Sequence, residues 1–353
     1  MHRVIGGLVL CFAAHAAAAG EPQQAFDLNE SGVKAAARGD YTEAERLYTE
    51  ALTKWRAAGP EYRAHAATTM FNLSQVFCSE GRWREGRPLL EQALGLYRQT
   101  LGLRNNRTLE TLNVLGSVDM VMGEFDRSAA AFLEALPVER GFFPNDLQLV
   151  RTLGGLSSLR MREGKLDEAL AEGEEALALS VKNLGEDNTE TATLYANVAG
   201  IHRRAGHAER ALPLIRKAHA IYDKTIEPDN PLYASMLTLE GLTLMDSGQA
   251  RAAEKEMVHA VNLLSGCASE CGFPLAMAEN NLGLLRLEQK RYSEADRLLS
   301  SAIAREQQYS TTPSGDMIQT MTLLAQVREK EQRFTDAADL RRRIASLQAS
   351  TFR

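Results

Sequence analysis

The sequence predicts an all-α solenoid of about eight helix pairs, and three observations carry that prediction. Apolar residues recur at the helical period in segments of helix length, as Leu194, Val198, Ile201 and Ala205 do near the middle of the chain. Gly206 follows that segment, where a residue free to adopt positive φ ends a helix. The same unit then recurs along the chain.

The repeating unit is a turn residue, an alanine five positions on and a second alanine seven positions further. Its last members lie at positions 51, 93, 135, 176, 218, 260, 302 and 344, so the spacing is 42 residues with a single step of 41. Looser copies begin at Gly81, Gly123, Lys290 and Gln332. Amphipathic helices need neighbours to bury their apolar faces, so the constant spacing indicates a helical repeat array.

These residues resemble the tetratricopeptide (TPR) repeat. The pattern Gly-x-Tyr/Phe-x-x-Ala stands at 39–44, and Leu-Gly stands in first helices at 115–116 and 282–283. The usual TPR period is about 34 residues. The period of 42, the linker at 184–188 and the prolines Pro88 and Pro213 are similar to the kinesin-light-chain type. The resemblance covers roughly residues 25–348 and implies a right-handed superhelix whose first helices line a concave face.

The eight repeats are predicted near residues 26–55, 62–101, 108–136, 147–183, 189–225, 231–265, 274–309 and 316–348. The loop expected at 137–146 lies where the period slips; it either alters the superhelical twist or has simply lost one residue. Pro231 and Pro274 suit the first turn of a helix, where a backbone N–H is not needed. The arginines at 341–343 are interpreted as a polar cap, with a binding patch as the alternative.

Residues 1–19 are predicted to be a cleaved signal peptide, which leaves a single solenoid domain at 20–353. A short positive start precedes an apolar run at 4–14, too short to span a bilayer, and small residues at 16–19. Cleavage is expected near Ala18 to Gly20, and export to the periplasm or the exterior follows. The alternatives are an uncleaved anchor and a lipid-modified Cys11, which Val9 and Leu10 disfavour.

The sequence predicts neither an enzyme nor a cofactor or metal site. It contains no catalytic signature and no phosphate-binding loop, and the five histidines after the leader lack the spacing of metal ligands. An enzyme without a recognisable motif remains a remote alternative. The formal charge of −6 does not favour nucleic acid, which needs a clustered basic surface, and no later segment is apolar for long enough to cross a membrane.

Two further sets of residues raise structural questions. Cys267 and Cys271 form a close pair in the joint between repeats six and seven, which in an exported protein predicts a disulfide, with free thiols as the alternative. Cys78 is expected to be a small buried hydrophobe. Glu240 and Glu279 occupy positions where other repeats have leucine, so they are either exposed or paired.

Asparagine recurs on the first helices at two adjacent positions. Asparagine is a poor helix former, and its amide offers a donor and an acceptor that match a peptide backbone. Arrays of the resembled type use such asparagines to hold an extended peptide. We predict a peptide-binding groove that contains Arg203 and the asparagines Asn72, Asn197, Asn281, Asn29, Asn113 and Asn280.

The alternative interpretation is that these amides bond neighbouring repeats to each other. The leading functional hypothesis is an exported scaffold or adaptor that binds a peptide or protein segment of unknown identity in its groove. The second hypothesis is a structural assembly factor of the cell envelope that acts through its convex or terminal faces.

Overall fold

The computed structural model describes residues 21–227, 230–266, 271–309 and 315–351 of the 353-residue chain. These residues form sixteen α-helices and no strand, with a short 3-10 helix at Pro60–Tyr62. The first helix of each pair is α1 (Glu21–Ala37), α3 (Arg63–Ser79), α5 (Asn106–Val121), α7 (Leu147–Arg162), α9 (Thr189–Arg204), α11 (Pro231–Asp246), α13 (Gly272–Glu288) or α15 (Gly315–Lys330). The second is α2 (Tyr41–Ala58), α4 (Trp83–Thr100), α6 (Phe125–Phe142), α8 (Leu166–Leu184), α10 (Ala208–Thr225), α12 (Ala250–Ser265), α14 (Tyr292–Tyr309) or α16 (Phe334–Thr351). The predicted all-α solenoid of eight helix pairs is confirmed.

The chain divides into two compact units, Met1–Asn183 and Leu184–Arg353. In unit one, α1 packs on α2, α3 on α4 and α5 on α6, and the first helices also contact one another, α1 with α3 and α5 with α7. The Ser157 hydroxyl donates to the carbonyl of Ala169 at 2.6 Å and links α7 to α8. A continuous buried cluster that includes Leu90, Tyr97 and Leu109 runs through the first three pairs.

Unit two repeats this arrangement. Its pairs are α9 with α10, α11 with α12, α13 with α14 and α15 with α16, and its first helices contact one another in chain order from α9 to α15. Met257 and Leu285 lie in one buried cluster, and Leu299 and Met321 lie in another. The first helices of unit two therefore form one layer, which we call the first-helix layer.

The small residues of the repeat lie where the paired helices approach most closely. Ala44, Ala51, Ala211 and Ala218 are completely buried. At Gly116 there is no room even for a methyl group, since a Cβ would lie 2.8 Å from Cζ of Phe132. The alanine and glycine pattern that revealed the repeats is thus the pattern that permits close helix packing.

The turn between paired helices uses left-handed backbone. Gly206 has φ of 81°, as predicted, and Lys290 and Gln332 adopt φ of 61° and 64° at the same position of the last two repeats. A side chain in this region costs about 1–2 kcal/mol. The two looser copies that begin at Lys290 and Gln332 therefore keep the turn conformation without glycine.

Short polar residues begin four of the first helices. The side chains of Asn105, Asp146, Asn188 and Asn230 each accept a hydrogen bond from the backbone N–H two residues further on, at 2.8–2.9 Å. These bonds satisfy N–H groups that a helix start leaves without a partner. The linker at 184–188 ends in one of these caps.

The predicted loop at 137–146 is wrong in its first part, because α6 continues through Pro137 to Phe142. Phe132, Ala135 and Glu139 extend the buried face of the helix across the proline. Proline removes one backbone hydrogen bond, and this packing keeps the helix intact. α1 also begins earlier than predicted, at Glu21. None of the helices in the described ranges combines the length and the hydropathy that a membrane span requires.

Candidate functional site

The two asparagine positions of the first helices have different surroundings. At the earlier position Asn113 and Asn280 are buried, with 4% and 7% of their surface exposed. At the next position Asn72, Asn197 and Asn281 are partly exposed. Consecutive residues of a helix point about 100° apart, so one position faces the neighbouring repeat and the next lies nearer to solvent.

Asn29 connects the first two repeats. Its Oδ1 accepts a hydrogen bond from Thr69 Oγ1 at 2.9 Å and another from Asn72 Nδ2 at 3.3 Å. The indole Nε1 of Trp55 donates to the hydroxyl of Thr69 at 3.0 Å. We call this arrangement of Asn29, Trp55 and Thr69 the indole seam; it joins α1, α2 and α3.

Asn113 connects repeats three and four in the same way. Its Oδ1 accepts a hydrogen bond from Thr152 Oγ1 at 2.6 Å, and its Nδ2 lies 3.2 Å from Glu139 Oε1 and 3.3 Å from Gln148 Oε1. Glu139 is completely buried, and its Oε2 has no partner in the described part of the chain. Burial raises the pKa of Glu139, and the neighbouring polar side chains of Thr152 and Asn113 oppose this shift. We call Asn113, Glu139 and Thr152 the carboxyl seam.

A third set occupies these positions in repeats seven and eight. Thr320 Oγ1 donates to Glu306 Oε1 at 3.4 Å, and the buried Oδ1 of Asn280 has no partner within the described ranges. In all three sets the middle residue lies 26 positions after the asparagine, and the threonine lies 39 or 40 positions after it. This spacing is a sequence signal for an inter-repeat contact that an inspection of single repeats misses.

The amides of Asn29, Asn72 and Asn113 thus bond between repeats, as the alternative interpretation of the asparagines expects. The side chains of Asn197 and Asn281 differ, because neither makes a hydrogen bond within the described residues. Gly200 lies one helical turn after Asn197, and the closest atom to its place for a Cβ is Leu239 Cδ1 at 3.9 Å. The backbone beside Asn197 is therefore open.

Arg203 is held by the next repeat. Its Nη1 donates to Asp246 Oδ2 at 3.1 Å, which ties α9 to α11. Its Nε is buried and has no hydrogen-bond partner among the described residues. The predicted groove residue is therefore at least partly a structural contact between first helices.

Acidic residues on second helices pair with two arginines of the following repeat. Glu254 Oε1 lies 2.8 Å from Nη1 of both Arg286 and Arg291. Asp296 Oδ1 accepts hydrogen bonds from Arg328 at 2.9 Å and from Arg333 at 3.1 Å. In each case the arginines follow the acid by 32 and 37 positions.

Between repeats two and three the charges of this pair are reversed. Arg87 on the second helix pairs with Asp119 on the next first helix, again 32 positions away. The side chain of Asp119 is 2% exposed, so this pair lies in the packed interface. These pairs cannot be found by inspecting single repeats, because the two residues of a pair lie in different repeats and the order of their charges differs between joints.

The two glutamates at leucine positions both have partners. Glu240 Oε2 lies 2.8 Å from His219 Nδ1. Glu279 accepts hydrogen bonds from Ser301 at 2.9 Å and from Arg305 at 3.1 Å. The sequence left exposure or pairing open, and the structure shows pairing.

Two cysteines, Cys78 and Cys271, lie within the described residues. Cys271 is buried at the start of α13, and Cys267 lies outside the described residues, so the disulfide between them stays a prediction. Cys78 is a free thiol whose pKa is raised to about 12 by burial. Within the described ranges no group of three or more His, Cys, Asp or Glu side chains is arranged to hold a metal ion.

The sequence matches a known family of repeat proteins. The tetratricopeptide repeat family model matches residues 28–99, 65–140 and 148–224, which together span more than half of the chain. Comparison with curated protein sequences gives no significant match.

Solved structures share the fold at low sequence identity. The apo form of RapI is 14% identical, with a TM-score of 0.65 over 80% of this chain and 97% of its own. The Rap conjugation gene regulator of plasmid pLS20, in complex with the Phr* peptide, is 14% identical, with a TM-score of 0.63 over 81% of this chain and 74% of its own. Kinesin light chain TPR-like repeats from Podosopora anserina are 18% identical, with a TM-score of 0.46 over 59% of this chain and 99% of theirs.

Proposed function

The chain belongs to the tetratricopeptide repeat family, and we propose that it is a non-enzymatic scaffold that binds an extended peptide or protein segment on the first-helix layer of unit two. The observation that carries this proposal is the pair of amides at Asn197 and Asn281. Both are partly exposed, and neither is used by the described part of the protein itself. An amide can accept from a peptide N–H and donate to a peptide carbonyl at the same time.

The spacing of the two amides suits an extended segment. Asn197 lies on α9 and Asn281 on α13, with α11 between them. Packed helices lie about 8–10 Å apart, so the amides are separated by roughly 20 Å, which about six residues of extended chain span. Leu239 and Leu242 on α11 are partly exposed and offer an apolar surface to a side chain near the middle of such a segment.

The structural relatives support peptide binding by analogy of fold. The Rap regulator of plasmid pLS20 holds the Phr* peptide in its own structure. The formal charge of −6 makes a protein partner a better fit than nucleic acid. Export also stays a proposal, because residues 1–20 lie outside the described ranges; the intact mass of protein recovered from the envelope or medium, against that of the full-length chain, tests it.

Binding is tested with a random library of displayed twelve-residue peptides. Selected peptides are titrated against the wild-type protein, Asn197→Ala and Asn281→Ala. Loss of a backbone contact of about 0.5–1.5 kcal/mol weakens binding about twofold to tenfold per site, while the melting temperature barely changes because alanine is the better helix former. Asn262→Ala is the matched control, since Asn262 is exposed on a second helix of the same unit.

The result that contradicts the proposal is equally specific. Unchanged affinity in both groove variants, or equal losses in Asn262→Ala, excludes these amides as backbone contacts. A lower melting temperature with unchanged affinity assigns them to the packing between repeats.

A further inference from the structure

The contact between α10 and α11 in unit two is polar where the equivalent contacts elsewhere are aliphatic. His219 occupies the position of Leu52 and Leu94 in earlier second helices. Those leucines are 7% and 5% exposed, and they share a buried cluster with the leucines at the position of Glu240, which are Leu73 and Leu115. At these two facing positions, repeats five and six therefore have an imidazole and a carboxylate where the earlier repeats have an aliphatic pair.

The imidazole is bonded on both sides. His219 Nδ1 lies 2.8 Å from Glu240 Oε2, and His219 Nε2 lies 3.1 Å from the hydroxyl oxygen of Tyr233. The same hydroxyl donates to Asp223 Oδ1 at 2.7 Å. The ring of Tyr233 also meets the ring of His219 edge to face, with centroids 5.5 Å apart. A chain of three polar contacts thus runs across the interface between repeats five and six.

All three of these hydrogen bonds can form together only when the imidazole of His219 is charged. When the ring is charged, both nitrogens of His219 donate, one to Glu240 and one to Tyr233, and the Tyr233 hydroxyl donates to Asp223. When the ring is neutral and Nδ1 keeps its hydrogen for Glu240, Nε2 is an acceptor. The single hydroxyl hydrogen of Tyr233 then faces two acceptors, so one of the three contacts is lost.

The charges around the ring act in the same direction. Asp223 on α10, Glu240 on α11 and Glu256 on α12 all favour the charged imidazole, and the bond to Glu240 is the largest effect that raises the pKa of His219. Desolvation opposes this shift. His259 on α12 meets the ring of Tyr233 at a centroid distance of 6.3 Å. Burial and the bond to Asp223 also raise the pKa of Tyr233, to about 12, so the phenol keeps its hydrogen throughout the neutral range.

We propose that His219, Glu240, Tyr233 and Asp223 form a proton-operated clamp between repeats five and six, closed when the imidazole is charged and weakened when it is neutral. The sign follows from linkage. Because the pKa of His219 is raised in the folded state, its stabilising contribution is complete below the unfolded value of about 6.5 and is lost as pH rises through the folded value. The clamp does not depend on the proposed peptide binding.

The chain supplies its own control for this clamp. The double variant His219→Leu with Glu240→Leu restores the aliphatic pair of the other repeats. Hydrogen exchange in α10 and α11 is compared at about pH 6 and about pH 8.5 after correction for intrinsic chemistry; wild-type protection is expected to fall by about tenfold for each unit by which the folded pKa exceeds the ordinary one. The double variant is expected to show no such fall.

Two single variants keep the test decisive if the double variant does not fold. Tyr233→Phe retains the ring and removes the middle contact, so it should reduce the pH dependence, while His259→Gln should leave it unchanged. An NMR titration of His219 in the wild-type protein reports the ring directly. A pKa at or below the ordinary histidine value, or the same pH dependence in the double variant, overturns the clamp.

Discussion

The indole seam and the carboxyl seam of unit one occupy the same positions of the repeat, yet they solve the same contact differently. Both contain an asparagine whose Oδ1 accepts a hydrogen bond from a threonine of the next repeat, at 2.9 Å in Asn29 and 2.6 Å in Asn113. The residue between them is Trp55 in one seam and Glu139 in the other.

The difference lies in how many polar atoms each middle residue brings. Trp55 brings a single N–H, which Thr69 accepts, and the rest of its side chain is apolar. Glu139 brings two oxygens into a site with no exposure, and its Oε2 has no partner within the described chain. An unpaired buried polar atom costs about 1–3 kcal/mol. The same geometry therefore accepts either an indole or a carboxyl group as the middle residue. The stability of the carboxyl seam, however, depends on whether Glu139 is protonated.

The largest expected effect is the loss of Asn113. Asn113→Ala leaves Thr152, Glu139 and Gln148 without their shared partner in a buried site, so the free energy of unfolding should fall by about 2–4 kcal/mol. Asn29→Ala, in a partly exposed site, should lose only about 1 kcal/mol. Urea unfolding followed by circular dichroism measures both, and equal losses would remove the contrast between the two seams.

A smaller effect of opposite sign is expected for Glu139→Gln. The pKa of Glu139 is raised in the folded protein by burial, so the wild type loses stability as pH rises through that value. The glutamine variant cannot ionise and should be more stable than the wild type near pH 8, with no gain near pH 4. Unfolding curves across this range test it, with Asp126→Asn, an exposed carboxylate on the same helix, as control.

The smallest effect is expected for Asn72→Ala in the indole seam. Asn72 donates to Asn29 at 3.3 Å, but Thr69 still satisfies the same oxygen after the substitution. Alanine also improves the helix, so the free energy of unfolding should change by about 0.5 kcal/mol or less. A loss comparable to that of Asn113→Ala would show that the indole seam is as sensitive as the carboxyl seam.

The fold could be predicted from the sequence because the same packing pattern recurs in every repeat. The alanines of the helix contacts and the turn at Gly206 depend only on local packing, which a periodic pattern records. The end of α6 was predicted too early because Pro137 suggests a break, whereas the buried face of the helix continues past this proline to Glu139.

The contacts of the candidate site were harder to predict from the sequence, because the residues that contact each other lie in different repeats. Asn72 and Asn197 occupy the same position of the repeat, but only Asn72 bonds to an asparagine of the preceding repeat, Asn29. A helix pattern gives the position of a residue on its own helix and not the residue opposite it. That information requires comparing positions about 26 and 40 residues apart.

The reversed ion pair of Arg87 and Asp119 distinguishes the joint between repeats two and three from the later joints. If the third repeat were replaced by the seventh, Arg87 would meet Arg286 instead of Asp119, and two like charges would share one interface. Near-identical units are prone to pair out of sequence, within one chain or between two chains. A change of sign at a single joint penalises such shuffled partners while leaving the correct neighbour favourable. The reversed pair therefore selects the correct neighbour at the joint between repeats two and three.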